Sequence, residues 1–202
     1  MKRKNILLIT AIAVFMLFPS CNKLENETTS GSVLLLQSIT GNDLQGNEGS
    51  TTIFVDVVQV NEDGSMTIYN DNAVVELSAA LLDPFVLPNE ATYYQNIIVD
   101  QIDISYTRAD GLNDEGEDVI YSFSQKVSYM VPIGETVSFP FVLVQHVAKL
   151  ESPLVELVSF GQETVLKLEA KITIHGKDVG GHRVAPVIGG VSVWIANFGD
   201  AE

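Results

Sequence analysis

The stretch Glu163–His175, ETVLKLEAKITIH, decides the fold. Leu166, Leu168, Ala170, Ile172 and Ile174 share one parity, while Lys167, Glu169, Lys171, Thr173 and His175 share the other. A strand turns successive side chains to opposite faces, so this pattern makes one dry face and one wet face. Wound as a helix, the same apolar residues would spread round the cylinder and leave no stripe to bury. The stretch is expected to be a central strand of an antiparallel sheet. Gly176-Lys177-Asp178-Val179-Gly180-Gly181 is turn chemistry, after which the chain returns as a second strand ending near Phe198.

The same two-residue period recurs upstream. Strands are expected over Ser32–Ile39, Thr51–Val60, Ala73–Ala79, Ile98–Thr107, Val119–Tyr129 and Thr136–Gln145, with a short returning piece at Thr67–Asn70. Ala73, Val75, Leu77 and Ala79 should face inward, as should Ile102, Ile104 and Tyr106. Asn61-Glu62-Asp63-Gly64 reads as a hairpin turn, because Gly takes positive φ cheaply. Asp83–Asn96, with Pro84 and Pro88, reads as an irregular crossing between sheets. Pro140 cannot donate to a ladder, so its strand should lie at an edge or carry a bulge. Gly189-Gly190 should mark a bulge or bend in the last strand. Between Val147 and Val158 the period breaks, and Ser152-Pro153 suits an N-cap and first turn, so one short helical connection is expected there.

Eight or nine short strands with regular turn signals define the expected class: all-β, an antiparallel two-sheet sandwich over residues 32–202. The pattern resembles immunoglobulin or fibronectin type III-like domains, without the Cys-Trp-Cys pattern of true immunoglobulin domains. Such an architecture does not specify an activity.

At the N-terminus, Lys2, Arg3 and Lys4 precede an apolar run from Ile6 to Phe18 broken only by Thr10. The run is shorter than the roughly 20 apolar residues a bilayer span needs, and it has the proportions of a secretory signal. Leu17-Phe18-Pro19-Ser20-Cys21 follows, and Cys21 is the only cysteine in the chain. Here the sequence resembles bacterial lipoproteins, whose leaders end in a lipobox with a cysteine that receives diacylglycerol. Ser20 and Cys21 match its last two positions; Phe18 and Pro19 depart from the usual Leu and small residue. The resemblance implies a signal peptide over residues 1–20, a lipidated Cys21, and anchoring in a membrane through acyl chains rather than a protein span. Asn22 is not the aspartate that some bacteria read as inner-membrane retention, so the family rule favours the outer membrane. Residues 22–32 (NKLENETTSGS) are polar and aperiodic, and read as a flexible tether reaching roughly 35 Å when extended.

Composition sets limits on partners. Removing the leader takes away three of eleven basic residues and none of the 26 acidic ones, leaving 8 against 26, a net charge of −18. That sign disfavours nucleic acid and anionic headgroups as partners. An unidentified protein or envelope polymer is the expected partner.

Two residue clusters have ligand-binding chemistry. Asp110, Asn113, Asp114, Glu115, Glu117 and Asp118 crowd one loop, and calcium takes such oxygen donors; the spacing is not that of an EF-hand, since Leu112 holds the third position. Solvated acidic loops look the same in sequence. His175, Asp178 and His182 flank the turn after the leading strand, and two imidazoles with a carboxylate form a transition-metal set; the alternative is a pair of exposed histidines. His146 should pack at its strand end. Trp194, on the opposite parity to Val191, Val193 and Ile195, is expected in the core or under the connecting segment, with an exposed binding aromatic as the other reading. No G-x-S-x-G, H-E-x-x-H, P-loop or Rossmann glycine pattern occurs. The expected function is therefore a lipid-anchored, non-enzymatic binding or structural module of the bacterial envelope, without a resident cofactor. The alternative is a calcium-dependent adhesion or carbohydrate-binding module.

Overall fold

In a computed structural model, the leading stretch becomes a 13-residue strand at the middle of a five-stranded sheet. The structure describes residues 29–43, 47–61, 63–83, 85, 90–160 and 164–198. The leader, Cys21 and most of the tether lie outside the described residues.

Among the described residues ten strands follow in chain order: β1 (Ser32–Thr40), β2 (Thr52–Asp56), β3 (Gln59–Val60), β4 (Met66–Thr67), β5 (Asp71–Leu81), β6 (Ile97–Thr107), β7 (Phe123–Val131), β8 (Thr136–Val144), β9 (Leu166–Asp178) and β10 (Arg183–Ala196). They form a three-stranded sheet, β1-β5-β8, a five-stranded sheet, β2-β10-β9-β6-β7, and the small hairpin β3-β4. The chain is an all-β two-sheet sandwich. One short helix, α1 (Leu154–Phe160), lies between β8 and β9. All main-sheet pairings are antiparallel except β2 with β10, which is parallel. No local sequence signal announces that exception: β1 belongs to one sheet, and after the loop at Gly41 the chain crosses to the other.

Inward parity builds the core. In β9, Leu168, Ala170, Ile172 and Ile174 are all at most 2% exposed. Against them stand Ala73, Val75, Leu77 and Ala79 of β5, also at most 2% exposed, as their alternation requires. Each such Leu, Ile or Val contributes roughly 1.5–3 kcal/mol by leaving water. β6 changes parity midway: Ile97 and Val99 face inward, then Ile102, Ile104 and Tyr106. A register shift between Val99 and Gln101 accommodates the switch.

The sheet edges answer the proline question. β8 is the edge of the smaller sheet, as Pro140 suggested. The Gln125 side chain of β7 donates to the Val142 carbonyl at 2.9 Å and accepts from its N–H at 3.2 Å. Val142 thus turns its backbone polar groups away from β5, and Pro140, two residues before it, turns its missing N–H to the same side. Strand edges left open pair with foreign chains, and this one is partly closed by an amide.

Several expectations need correction. Thr51–Val60 is two strands, because Val57 and Val58 leave the ladder to be buried and the Val57 N–H bonds the Ala196 carbonyl at 3.0 Å. The turn after β9 is tighter than Gly176–Gly181: the strand runs on to Asp178, and Gly181 supplies the positive φ, +92°. β7 begins at Phe123 rather than Val119, and Tyr121 is exposed. α1 starts at Leu154, and Ser152 Oγ donates to Glu156 Oε1 at 2.8 Å instead of capping backbone. The bulge in β10 falls between Val184 and Val187, around Pro186, where β2 does not yet flank the strand. Gly189 and Gly190 pair regularly with Ile172 and Lys171.

Gly189 has a different use. A Cβ there would lie 2.4 Å from Leu36 Cδ2 and 2.8 Å from Ile39 Cδ1. The bare backbone lets β1 of one sheet close over β10 of the other. Gly189→Ala is expected to cost about 1–3 kcal/mol through overpacking. Urea denaturation would check this; a loss below about 0.5 kcal/mol would mean that β1 yields easily.

Candidate functional site

The outward parity of the five-stranded sheet forms a broad polar face, and the register maps it row by row. Phe54, Trp194 and Lys167 align at one end. Next come Thr52, Ser192, Glu169 and Thr107, then Gly190, Lys171 and Ser105. Ile188, Thr173, Asp103 and Ser124 form the following row, and His175, Gln101 and Lys126 the one after. Arg183 and Lys177 close the far end.

Asp103 is the hub of the face. Its Oδ1 accepts from Ser124 Oγ and from Gln101 Nε2, each at 2.6 Å, and its Oδ2 lies 2.7 Å from His175 Nε2. Gln101 in turn accepts from Lys126 Nζ. Burial pushes the Asp103 carboxyl up, but the bonds from Ser124, Gln101 and His175 outweigh it and hold the group below the usual carboxylate range. Serine, histidine and aspartate meet here in the wrong order for nucleophilic catalysis. In a triad the histidine bridges the hydroxyl and the acid; here both Ser124 and His175 end on the acid, so the imidazole is not placed to take the serine proton.

The metal set expected from His175, Asp178 and His182 is not assembled. His175 and Asp178 differ in parity, so one lies on the outer face and the other points inward, 5% exposed. Asp178 instead closes the β9–β10 turn: its Oδ1 accepts the His182 N–H at 2.8 Å, and its Oδ2 sits 3.1 Å from His182 Nδ1. Burial raises its carboxyl, and the bonds from His182 and Ser30 more than reverse that. Among the described residues no three His, Cys, Asp or Glu side chains converge as a metal site.

The acidic loop sits at the end of the sandwich opposite the entry of the chain into β1. Several of its oxygens already serve the loop. Asp110 pairs with Arg108 at 2.5 Å and accepts the Leu112 N–H, Asn113 accepts the Arg108 N–H at 2.7 Å, and Asp118 accepts the Asp114 N–H at 3.2 Å. Glu115 holds both the hydroxyl and the N–H of Ser122. Asp114 and Glu117 are exposed. His146 follows β8 and rests on Asn70, its Nδ1 2.9 Å from Asn70 Oδ1.

Trp194 is on the outer face rather than in the core. Its ring packs edge-on to Phe54 at 5.4 Å, and Lys167 Nζ stands 4.1 Å over it. Phe198 flanks Phe54 at 5.8 Å.

The buried ion pair had no signal in the strand period. Lys149, 3% exposed, follows β8 in a short 3-10 turn and places Nζ 2.6 Å from Asp71 Oδ2 and 2.6 Å from the Asp56 carbonyl. Tyr106 donates its hydroxyl to the Leu143 carbonyl nearby, and burial followed by the Asp71 charge pushes the phenol upward. Among the described residues, no helix is long and apolar enough to cross a membrane. Compared with protein-family models and with curated proteins, the chain matches none.

Proposed function

We propose that the chain is a lipid-anchored, non-enzymatic binding module of the bacterial envelope, held through a diacylglyceryl group on Cys21, with the outer membrane the favoured address. The observation that carries the reading is the cysteine itself, the chain's only one, set directly behind a basic and apolar leader. The fold supports it from the other side. The chain enters β1 where the Ser30 N–H bonds the Arg183 carbonyl at 3.0 Å, beside the β9–β10 turn. A tether of eight residues from Cys21 would keep that end within about 30 Å of the bilayer. The acidic loop would then point away into the aqueous space. The likeness to immunoglobulin or fibronectin type III-like domains belongs to the same proposal; its support is a three-stranded sheet packed on a five-stranded one, with the first strand's continuation joining the last in parallel. The non-enzymatic reading is supported by the order of bonds at Asp103.

Fractionation of cells producing Cys21→Ala tests the anchor. The wild-type chain is expected in the membrane fraction with acyl groups by mass spectrometry, and the variant in the soluble envelope fraction. Retention of the variant at wild-type levels would refute it.

A further inference from the structure

We infer that the outer face of the five-stranded sheet binds a linear acidic polysaccharide, one carrying carboxylates along an extended sugar chain. This deepens the reading of the chain as an envelope-binding module by naming the face and the class of polymer.

The argument begins with where the cations are. Beyond the leader the chain has eight Lys and Arg, and five of them, Lys126, Lys167, Lys171, Lys177 and Arg183, stand exposed on this one face. A chain with 26 acids could pair every one of them. Off the face, among the described residues, it does so: Arg108 meets Asp110 at 2.5 Å, and buried Lys149 meets Asp71 at 2.6 Å. On the face, among the described residues, the nearest approach of a carboxylate to any of the five is Asp100 to Lys177 at 3.9 Å. Two further acids stand on the face and have partners: Asp103 is taken by His175, Ser124 and Gln101, and Glu169, between Lys167 and Lys171, accepts from Ser192 Oγ at 2.6 Å. Five cations beside Glu169, Asp103 and Asp100 thus leave the face a local surplus of positive charge on an acidic molecule, which an anion from outside complements.

The shape of the charge selects a chain-like ligand. Lys167, Lys171 and Lys177 lie along β9, and ten residues of strand extend about 33 Å. At the Arg183 end the row opens into a depression of about 1000 Å³, which Lys126, His175, Lys177 and Arg183 help to line, with Asp100 as its one acid among the described residues. The floor between the cations favours sugar over polypeptide. Ser105, Thr107, Thr173, Ser192 and Gly190 supply hydroxyls and bare backbone that suit hydroxyl-rich partners, with Glu169 and Asp103 as the carboxylates among them. Protein interfaces centre on buried apolar anchors, whereas the large apolar side chains most exposed on this face, Ile188 and Met130, sit at its margins. Trp194, under Lys167, closes the other end of the row.

Trp194 is the only tryptophan and so reports binding directly. The full lipid-bearing protein, extracted in detergent, would be titrated with polygalacturonate, with its fully methyl-esterified form, and with poly-glutamate, following tryptophan emission. Saturable binding to polygalacturonate is expected, weakening at least tenfold on esterification and at least tenfold in K171Q/K177Q, while K171R/K177R keeps wild-type affinity. Poly-glutamate should bind at least tenfold more weakly. The inference is overturned by no saturable response to polygalacturonate, by equal binding of the esterified polymer, or by an unchanged K171Q/K177Q. Poly-glutamate binding as tightly as the polyuronate would reassign the face to acidic protein and overturn it as well. Circular dichroism of each variant confirms the fold, and Cys21→Ala fractionation is unaffected by any of these results, so the two readings fail separately.

Discussion

Lys149→Met is expected to lower the unfolding free energy by about 3–5 kcal/mol, the largest effect of any single change outside the apolar core. The reason is geometric. Asp71 Oδ2 is buried against the lysine and has no further hydrogen-bond partner among the described residues. Removing the ammonium leaves a carboxylate facing the Asp56 carbonyl and, close by, the Tyr106 hydroxyl that already serves Leu143. The contact also ties three separate pieces: the start of β5, the end of β2 and the turn after β8. Most of the expected cost is the orphaned charge rather than the attraction lost, since burying both charges was expensive in the first place. Asp71→Asn/Lys149→Met should therefore recover more than half of the loss. Urea denaturation of both variants at constant slope gives the measurement. The loss should be smaller at acid pH, where the stranded carboxyl can take up a proton. A Lys149→Met loss under about 1 kcal/mol, or a double variant no better than the single one, would show that the pair does not carry this end of the sandwich.

What the chain's period reveals and what it conceals follow from the same geometry. Alternation is a local property, so the inward residues of β5, β6 and β9 and the central place of β9 could be read residue by residue. The edge position of β8 was legible because proline lacks a donor. Partners across strands were not, because they depend on register: His175 and Asp103 stand 72 positions apart in sequence and meet only when β6 and β9 align. Proximity in sequence misled where parity should have warned. His175 and Asp178 are three apart, and an odd spacing in a strand puts two side chains on opposite faces. The parallel joining of β2 to β10 had no local signature, and Lys149 fell in the one segment where the period fails. The concentration of cations on the outer face was half legible, since Lys167 and Lys171 share a parity in the deciding stretch. Lys126 and Arg183 joined them only through pairing.

The second large effect is a stability that rises on mild acidification. Burial raises the Asp71 carboxyl to about 6, against the pull of Lys149, while in the unfolded chain it titrates near its ordinary value of 3.8. Between those two values the folded state holds more protons than the unfolded one, so stability falls as pH rises through the window. A difference of about two pK units corresponds to about 3 kcal/mol, taken as an order of magnitude. Asp103 and Asp178 work the other way: their folded values lie below the ordinary one, so their contribution is present above it and is lost as pH falls through the depressed values. The melting temperature is thus expected to climb from about pH 7 to about pH 4.5 and to drop below about pH 3.5. General repulsion in a chain of net charge −15 also eases on acidification, but that part is screened in about 1 M salt, whereas desolvation of a buried carboxylate is not. The climb should accordingly survive high salt in the wild-type protein and vanish there in Asp71→Asn. A flat profile in high salt, or an Asp71→Asn variant that climbs as the wild type does, would place the proton elsewhere.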